Sequence, residues 1–395
     1  MRFVLDDSQI TCLPESPEEE VGVNDLGQPI TLATHTLYFD IRPKKLPTPD
    51  HLALICFIVF YPYLAKATRI KWIQPVSPIW LEILKLHNLT TDINLQPQSS
   101  HPPSISQTLS SRLSPHLSQQ IIPIVSPIVS PKIALSWGGG LDTWAAYQLH
   151  PNLYTVLVHE RESTDPPIYG PATLTNSKFV VVTCNQKSIS IKNSKPNNVN
   201  LQRTTQAGWA TWVGVMVTSI WISADYGINM VATGGNIGSV FLNNGSRYHP
   251  THLKPSIWYK TFELVGLPMY IPLGGLTDLG VIKILGSEQL NRIRYCWFPT
   301  KTGDNCHKCP KCIRKEMLLG REQIKLDNFV GPSYEYIRTN DPKLARWVHC
   351  YYGPALQLIP LTFDSQILIK ALKNKSIEIL PKSDEYLVEQ YGYKF

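Results

Sequence analysis

Four cysteines crowd one short window of the chain, Cys296, Cys306, Cys309 and Cys312, in the spacing C-x9-C-x2-C-x2-C. The paired two-residue gaps let three thiolates converge from one turn, and Cys296 can close a tetrahedron from a preceding segment. A structural zinc ion is the leading reading, and it would pin a loop and leave no open position for catalysis. An iron–sulfur cluster uses the same ligands, and a redox Cys-x2-Cys would need only two of them. His307 lies inside the window as a substitute ligand or as a solvent-facing loop residue. The other cysteines, Cys12, Cys56, Cys184 and Cys350, are scattered and read as small core residues.

A second pattern is Ser136-Trp137-Gly138-Gly139-Gly140-Leu141-Asp142-Thr143. It follows a short apolar strand, Ile133–Ser136, and opens a helix over Asp142–Leu149. Glycines allow a tight turn that aims successive backbone N–H groups at one anion, and the helix N-terminus adds partial positive charge. The Gly-Lys-Ser/Thr of a Walker loop is missing. An ordinary tight turn is the bland alternative. Further on, Val231-Ala232-Thr233-Gly234-Gly235-Asn236 reads as a strand ending in another glycine turn, which in a parallel sheet faces the ligand crevice. Arg203, on a polar loop spanning 188–203, reads on its own as a surface ion-pair residue.

The elements that must carry these residues alternate. Strands at Ile133–Ser136, Tyr154–His159, Phe179–Cys184 and Asn229–Thr233, with helices between them, predict an α/β fold with a doubly wound parallel sheet. Gln206–Ala224 reads as a long buried helix, with Trp209, Trp212 and Trp221 in the core. Residues 1–95 mix strand-like segments (Met1–Leu5, Thr31–Ile41), an apolar run after His51 and a helical Trp80–His87, which reads as a small α+β domain. Ser-Pro recurs between residues 96 and 131, and no acid occurs between Asp92 and Asp142, so this stretch reads as a linker. The remaining divisions are 132–320, the domain holding the glycine turn and cysteines, and a C-terminal extension, 321–395.

A net charge of +7 suits an anionic ligand, but no Lys/Arg-rich run points to nucleic acid. The most apolar stretch, Leu52–Phe60, is too short to span a bilayer, and acids follow the N-terminus at once, so a cytoplasmic, non-membrane protein is expected.

Gly138–Thr143 resembles the Ser-Gly-Gly-x-Asp-Ser/Thr loop of the PP-loop ATP-pyrophosphatase superfamily. With the cysteine cluster following in order, the chain resembles the 7-cyano-7-deazaguanine synthase (QueC) family over residues 132–316. Gln202–Thr204, Val231–Asn236, Ile271–Leu273 and Arg294–Arg314 are similar to further family segments. The resemblance implies a PP-loop (HUP-type, Rossmann-like) domain using ATP, Mg²⁺ and Zn²⁺. It would adenylate a carboxylate, release pyrophosphate, and form an amide or nitrile. It implies ATP contacts from Ser136, Gly138, Gly139, Gly140, Leu141, Asp142, Thr143, Gly234, Gly235 and Asn236, with Asp142 and Arg203 in catalytic roles. The match is divergent. The family's leading serine falls on Gly138, and Ile237–Asn244 replaces its substrate run, so the deazaguanine substrate does not carry over. The extra N-terminal segment resembles enlarged QueC-like proteins of bacterial defence and natural-product clusters, whose acceptor can be a small carboxylate or a protein terminus. A homodimer is left open. The rival expectation is a degenerate PP-loop protein that binds a nucleotide or partner without turnover.

Overall fold

A computed structural model of the chain describes residues 1–23, 29–89, 91–95, 131–161, 177–186, 189–192, 213–236, 255–276, 278–290, 293, 305–307, 312, 360 and 363–377. The architecture is mixed α/β. At its centre lies a five-stranded sheet of β8 (Ile133–Ser136), β9 (Tyr154–Arg161), β10 (Lys178–Thr183), β12 (Met230–Thr233) and β13 (Met269–Tyr270), in the order β10-β9-β8-β12-β13. Every pairing within it is parallel.

Two-residue alternation divides the strands between two cores. Ile133, Leu135, Leu157, Met230, Ala232 and Tyr270 face one side, and Ala134, Val156, Val158, Val231 and Met269 the other. Both faces are covered, which is why these strands are nearly continuous apolar runs. On the first face pack α3 (Leu141–Leu149), α7 (Asp278–Leu290) and α8 (Ser365–Asn374). The described part of the C-terminal extension thus joins this core, with Phe363 stacked on Tyr270 at 4.4 Å between ring centroids.

The second face is shared with the N-terminal segment. Its α1 (Pro49–Leu64) is apolar all round, and every residue from Leu52 to Phe60 is buried, so the run after His51 is a core helix. Thr48 caps it by accepting from the His51 N–H at 3.2 Å. Around α1 lie the antiparallel sheet β1 (Arg2–Asp6), β2 (Gln9–Leu13), β5 (Thr36–Tyr38), together with β3 (Val21–Val23), β4 (Pro29–Leu32), β6 (Arg69–Ile70), α2 (Ile79–Leu86) and β7 (Asp92–Ile93). One hydrophobic cluster runs from Met1 through α1 into the sheet face and the helices α4 (Val217–Trp221) and α6 (Pro255–Leu264). Of the polar loop expected at 188–203, residues Ser190–Lys192 form β11, which pairs antiparallel with β4. Trp221 stacks on Phe39 at 4.3 Å and donates from Nε1 to the Ile41 carbonyl at 2.7 Å, fixing the N-terminal segment to α4.

The long helix expected over 206–224 is interrupted. Its described part is a 3-10 turn (Gly214–Met216), then α4, then α5 (Ser223–Tyr226), broken at Ile222. Val215, Val217, Thr218, Ile220 and Ile222 are β-branched and weak helix formers, so tertiary burial sets the path here and local propensity does not. Trp221 is buried as expected; Trp209 and Trp212 lie outside the described residues, as do Cys350 and most of the 96–131 linker. Among the described residues no helix is long and apolar enough to cross a membrane.

Candidate functional site

Numbering the central strands in chain order gives 3-2-1-4-5, so strand order reverses between β8 and β12. Ligands of open parallel sheets bind at such a switch point, beyond the carboxyl ends of the strands. Both glycine turns lie there, one after each of these two strands.

The first turn is anchored before it bends. Trp137 extends the β8 ladder by donating its N–H to the Val158 carbonyl at 2.7 Å, and its own carbonyl accepts from His159 Nδ1 at 2.7 Å. Its indole is buried edge-on against Trp144 at 5.1 Å. The backbone then opens to solvent at Gly138 and takes a left-handed φ of 66° at Gly139, which a glycine reaches without strain. Gly140 is the N-cap of α3, so no side chain caps this helix. Thr143 bonds back to the Gly140 carbonyl at 3.0 Å. A helix start lacking a capping side chain presents its first N–H groups and its partial positive charge to an incoming anion.

The second turn is pressed against the first. A Cβ built on Gly234 would lie 2.7 Å from the Asp142 carbonyl carbon and 2.8 Å from the Thr143 nitrogen. Only glycine lets the end of β12 pass that close to the first turn of α3. Two residues on, the buried Asn236 donates from Nδ2 to Asp142 Oδ1 at 3.2 Å and to Asp278 Oδ1 at 2.8 Å. Asp278 sits in the first turn of α7. Three segments, the end of β12 and the starts of α3 and α7, are thereby tied together by one amide. At Gly138 an added Cβ would meet nothing within 4 Å, so the turn has room on that side.

Of the sequence-predicted residues, Gly138 to Thr143 and Gly234 to Asn236 are thus brought together. Ser136 does not join them. Its buried hydroxyl bonds Ser219 Oγ on α4 at 3.2 Å, because strand alternation points it into the second face. Arg203 lies outside the described residues. So do Cys296 and Cys309, while Cys306 and Cys312 approach with their sulfurs 3.9 Å apart. No group of three or more metal-binding side chains occurs among the described residues, which include only half of the cysteine cluster. Sequence reasoning passed over His159 and Asp278. Each carried a signal: a histidine directly after the apolar run Val156–Val158 of β9, and an acid opening the helix after β13.

Residues 257–329 match the model of DUF6395, a family of unknown function; the matched stretch takes in α6, β13, α7 and the cysteine cluster. No curated protein matches the chain.

Proposed function

We propose that the chain is a QueC-like PP-loop ATP-pyrophosphatase that activates a carboxylate. The observation carrying this reading is the glycine turn at the β8/β12 switch point, backed by an uncapped helix start and held by the close approach of Gly234. In this reading ATP is the substrate, with its β/γ phosphates on the N–H groups of Gly139 to Thr143. A carboxylate oxygen bonds to the α-phosphorus as the bond to the β-phosphate oxygen breaks, and pyrophosphate leaves. Ammonia then attacks the carbonyl carbon and expels AMP. Fixed N–H dipoles favour the leaving pyrophosphate as its charge grows, without reorganising. Arg203 would neutralise the α-phosphate.

The groups that ATP chemistry calls for fit the residues present. Asp142 and Asp278 are hard oxygen donors on adjoining helix starts, suited to Mg²⁺, which would screen the phosphates. Cys296, Cys306, Cys309 and Cys312 would hold zinc. Sulfurs on a tetrahedral zinc at about 2.3 Å stand about 3.8 Å apart, and the Cys306–Cys312 separation is 3.9 Å.

A second reading, nucleotide binding without turnover, has its own observation. Glycine stands where the family has its leading serine, and the Ser136 hydroxyl is committed to Ser219. The test is pyrophosphate and AMP release from Mg·ATP with ammonia and a panel of small carboxylates and peptide termini. Turnover that falls roughly 30- to 1000-fold in Arg203→Ala with ATP affinity little changed supports the ligase. ATP binding with no AMP from any acceptor leaves the non-catalytic reading.

A further inference from the structure

A polar cavity of about 340 Å³ opens in the N-terminal segment, lined by Arg2, Leu13, Pro14, Glu15, Arg69 and Lys71. It shares no residue with the glycine-turn site. Its basic wall is assembled by strand pairing between distant parts of the chain. Arg2 and Lys71 are bridged in parallel, and the Phe3 N–H to Lys71 carbonyl (2.8 Å) and Lys71 N–H to Met1 carbonyl (2.9 Å) bonds fix that register. Phe3 and Ile70 point into the core, so Arg2, Arg69 and Lys71 emerge together on the opposite face. This is why no basic run in the sequence announces the patch.

Three like charges on adjacent strands repel one another, tempered only by Asp92, which lies opposite Arg69 in the β6/β7 pair. Among the described residues no carboxylate pairs with any of these three side chains. The one acid in the lining, Glu15, lies 3.6 Å from the Met1 amino group. An anion in the cavity would turn that repulsion into attraction, and two guanidinium forks suit the oxygens of a phosphate. Leu13 and Pro14 give an apolar wall for the body of a small molecule, and the volume falls in the usual range of about 300–1,000 Å³ for such sites. The lining holds no aromatic ring on which the bases of a nucleic-acid strand could stack.

We propose that this cavity binds a small phosphorylated molecule, its phosphate held by Arg2, Arg69 and Lys71. The proposal is independent of the glycine-turn reading. Inorganic pyrophosphate is titrated calorimetrically at low ionic strength into the full chain, into Arg69→Glu/Lys71→Glu, and into the charge-matched control Lys66→Glu/Lys85→Glu. One binding event should weaken roughly 30-fold or more in the first variant, given two lost charge-assisted contacts, and should persist in the control. ATP turnover or ATP binding at the glycine turn should be the same in both. Arg69→Gln/Lys71→Gln replaces the first variant if its unfolding midpoint falls. Unchanged binding in the cavity variant, or equal weakening in the control, overturns the proposal. So does an unphosphorylated single-stranded oligonucleotide that binds more tightly than pyrophosphate and is lost in the cavity variant.

Discussion

Two polar clusters in this molecule are built on opposite plans. Between α1, α2 and α6, His87 is enclosed by Phe57, Tyr61 and Trp258, with ring centroids 4.8 to 5.2 Å away. Its Nε2 meets Thr261 Oγ1 at 2.8 Å and its Nδ1 meets the Tyr61 hydroxyl at 3.2 Å. Desolvation lowers its pKa from 6.5 to about 3, so the ring is neutral. At the switch point, in contrast, two carboxylates share a single amide at the rim of a crevice. The first arrangement satisfies a polar side chain so that it can serve as core. The second sets two hard oxygen donors on adjoining helix starts, held in place by the Asn236 amide, where a cation could join them. Charge concentrated where packing does not require it marks a site, and a polar group sealed among aromatic rings marks a joint.

The comparison can be broken at the joint first. Trp258→Ala removes the fully buried indole facing His87 and should cost about 3–5 kcal/mol in urea unfolding, with ATP affinity scarcely altered in the folded fraction. Acid should act next. His87 and His150, whose burial lowers its pKa to about 4, are held neutral in the fold and protonate more readily in the unfolded chain. Their stabilising contribution is therefore present above about pH 6.5 and is lost as pH falls towards the folded values, by about 1.4 kcal/mol per pH unit for each. Unfolding midpoints measured from pH 7 to 5 should fall, and His87→Gln should flatten that slope. Gly234→Ala forces a methyl against the backbone of Asp142 and should cost about 1–3 kcal/mol, and unlike Trp258→Ala should weaken ATP binding in the folded protein. The smallest effect on stability is expected at Asp278→Asn. Asn keeps a side-chain oxygen that can accept from Asn236, so stability should stay within about 1 kcal/mol of wild type, while Mg·ATP affinity drops.

The parallel sheet was legible because both of its faces are covered. Ile133–Leu135 and Met230–Ala232 are apolar, with glycines a few residues beyond each, and β8 and β12 fall there. The glycine turn was legible for the same local reason: a strand, three glycines and a helix start leave few conformations open. What the sequence could not carry was pairing at a distance. Nothing near Asn236 indicates that its amide reaches Asp278, and nothing near Ser136 indicates that its hydroxyl is taken by Ser219. The interrupted helix at Ile222 was missed because periodicity reports which residues are buried, and β-branched residues bury as well in a broken helix as in a continuous one.

The central claim, an anion site on the uncapped start of α3 at the β8/β12 switch point, is tested most directly by amide hydrogen exchange of the full chain with and without Mg·ATP. The account predicts slowed exchange in residues 138–143 and 234–236, with no comparable change around His87. Tight ATP binding that protects neither glycine turn, or protection confined to the N-terminal segment, would contradict it.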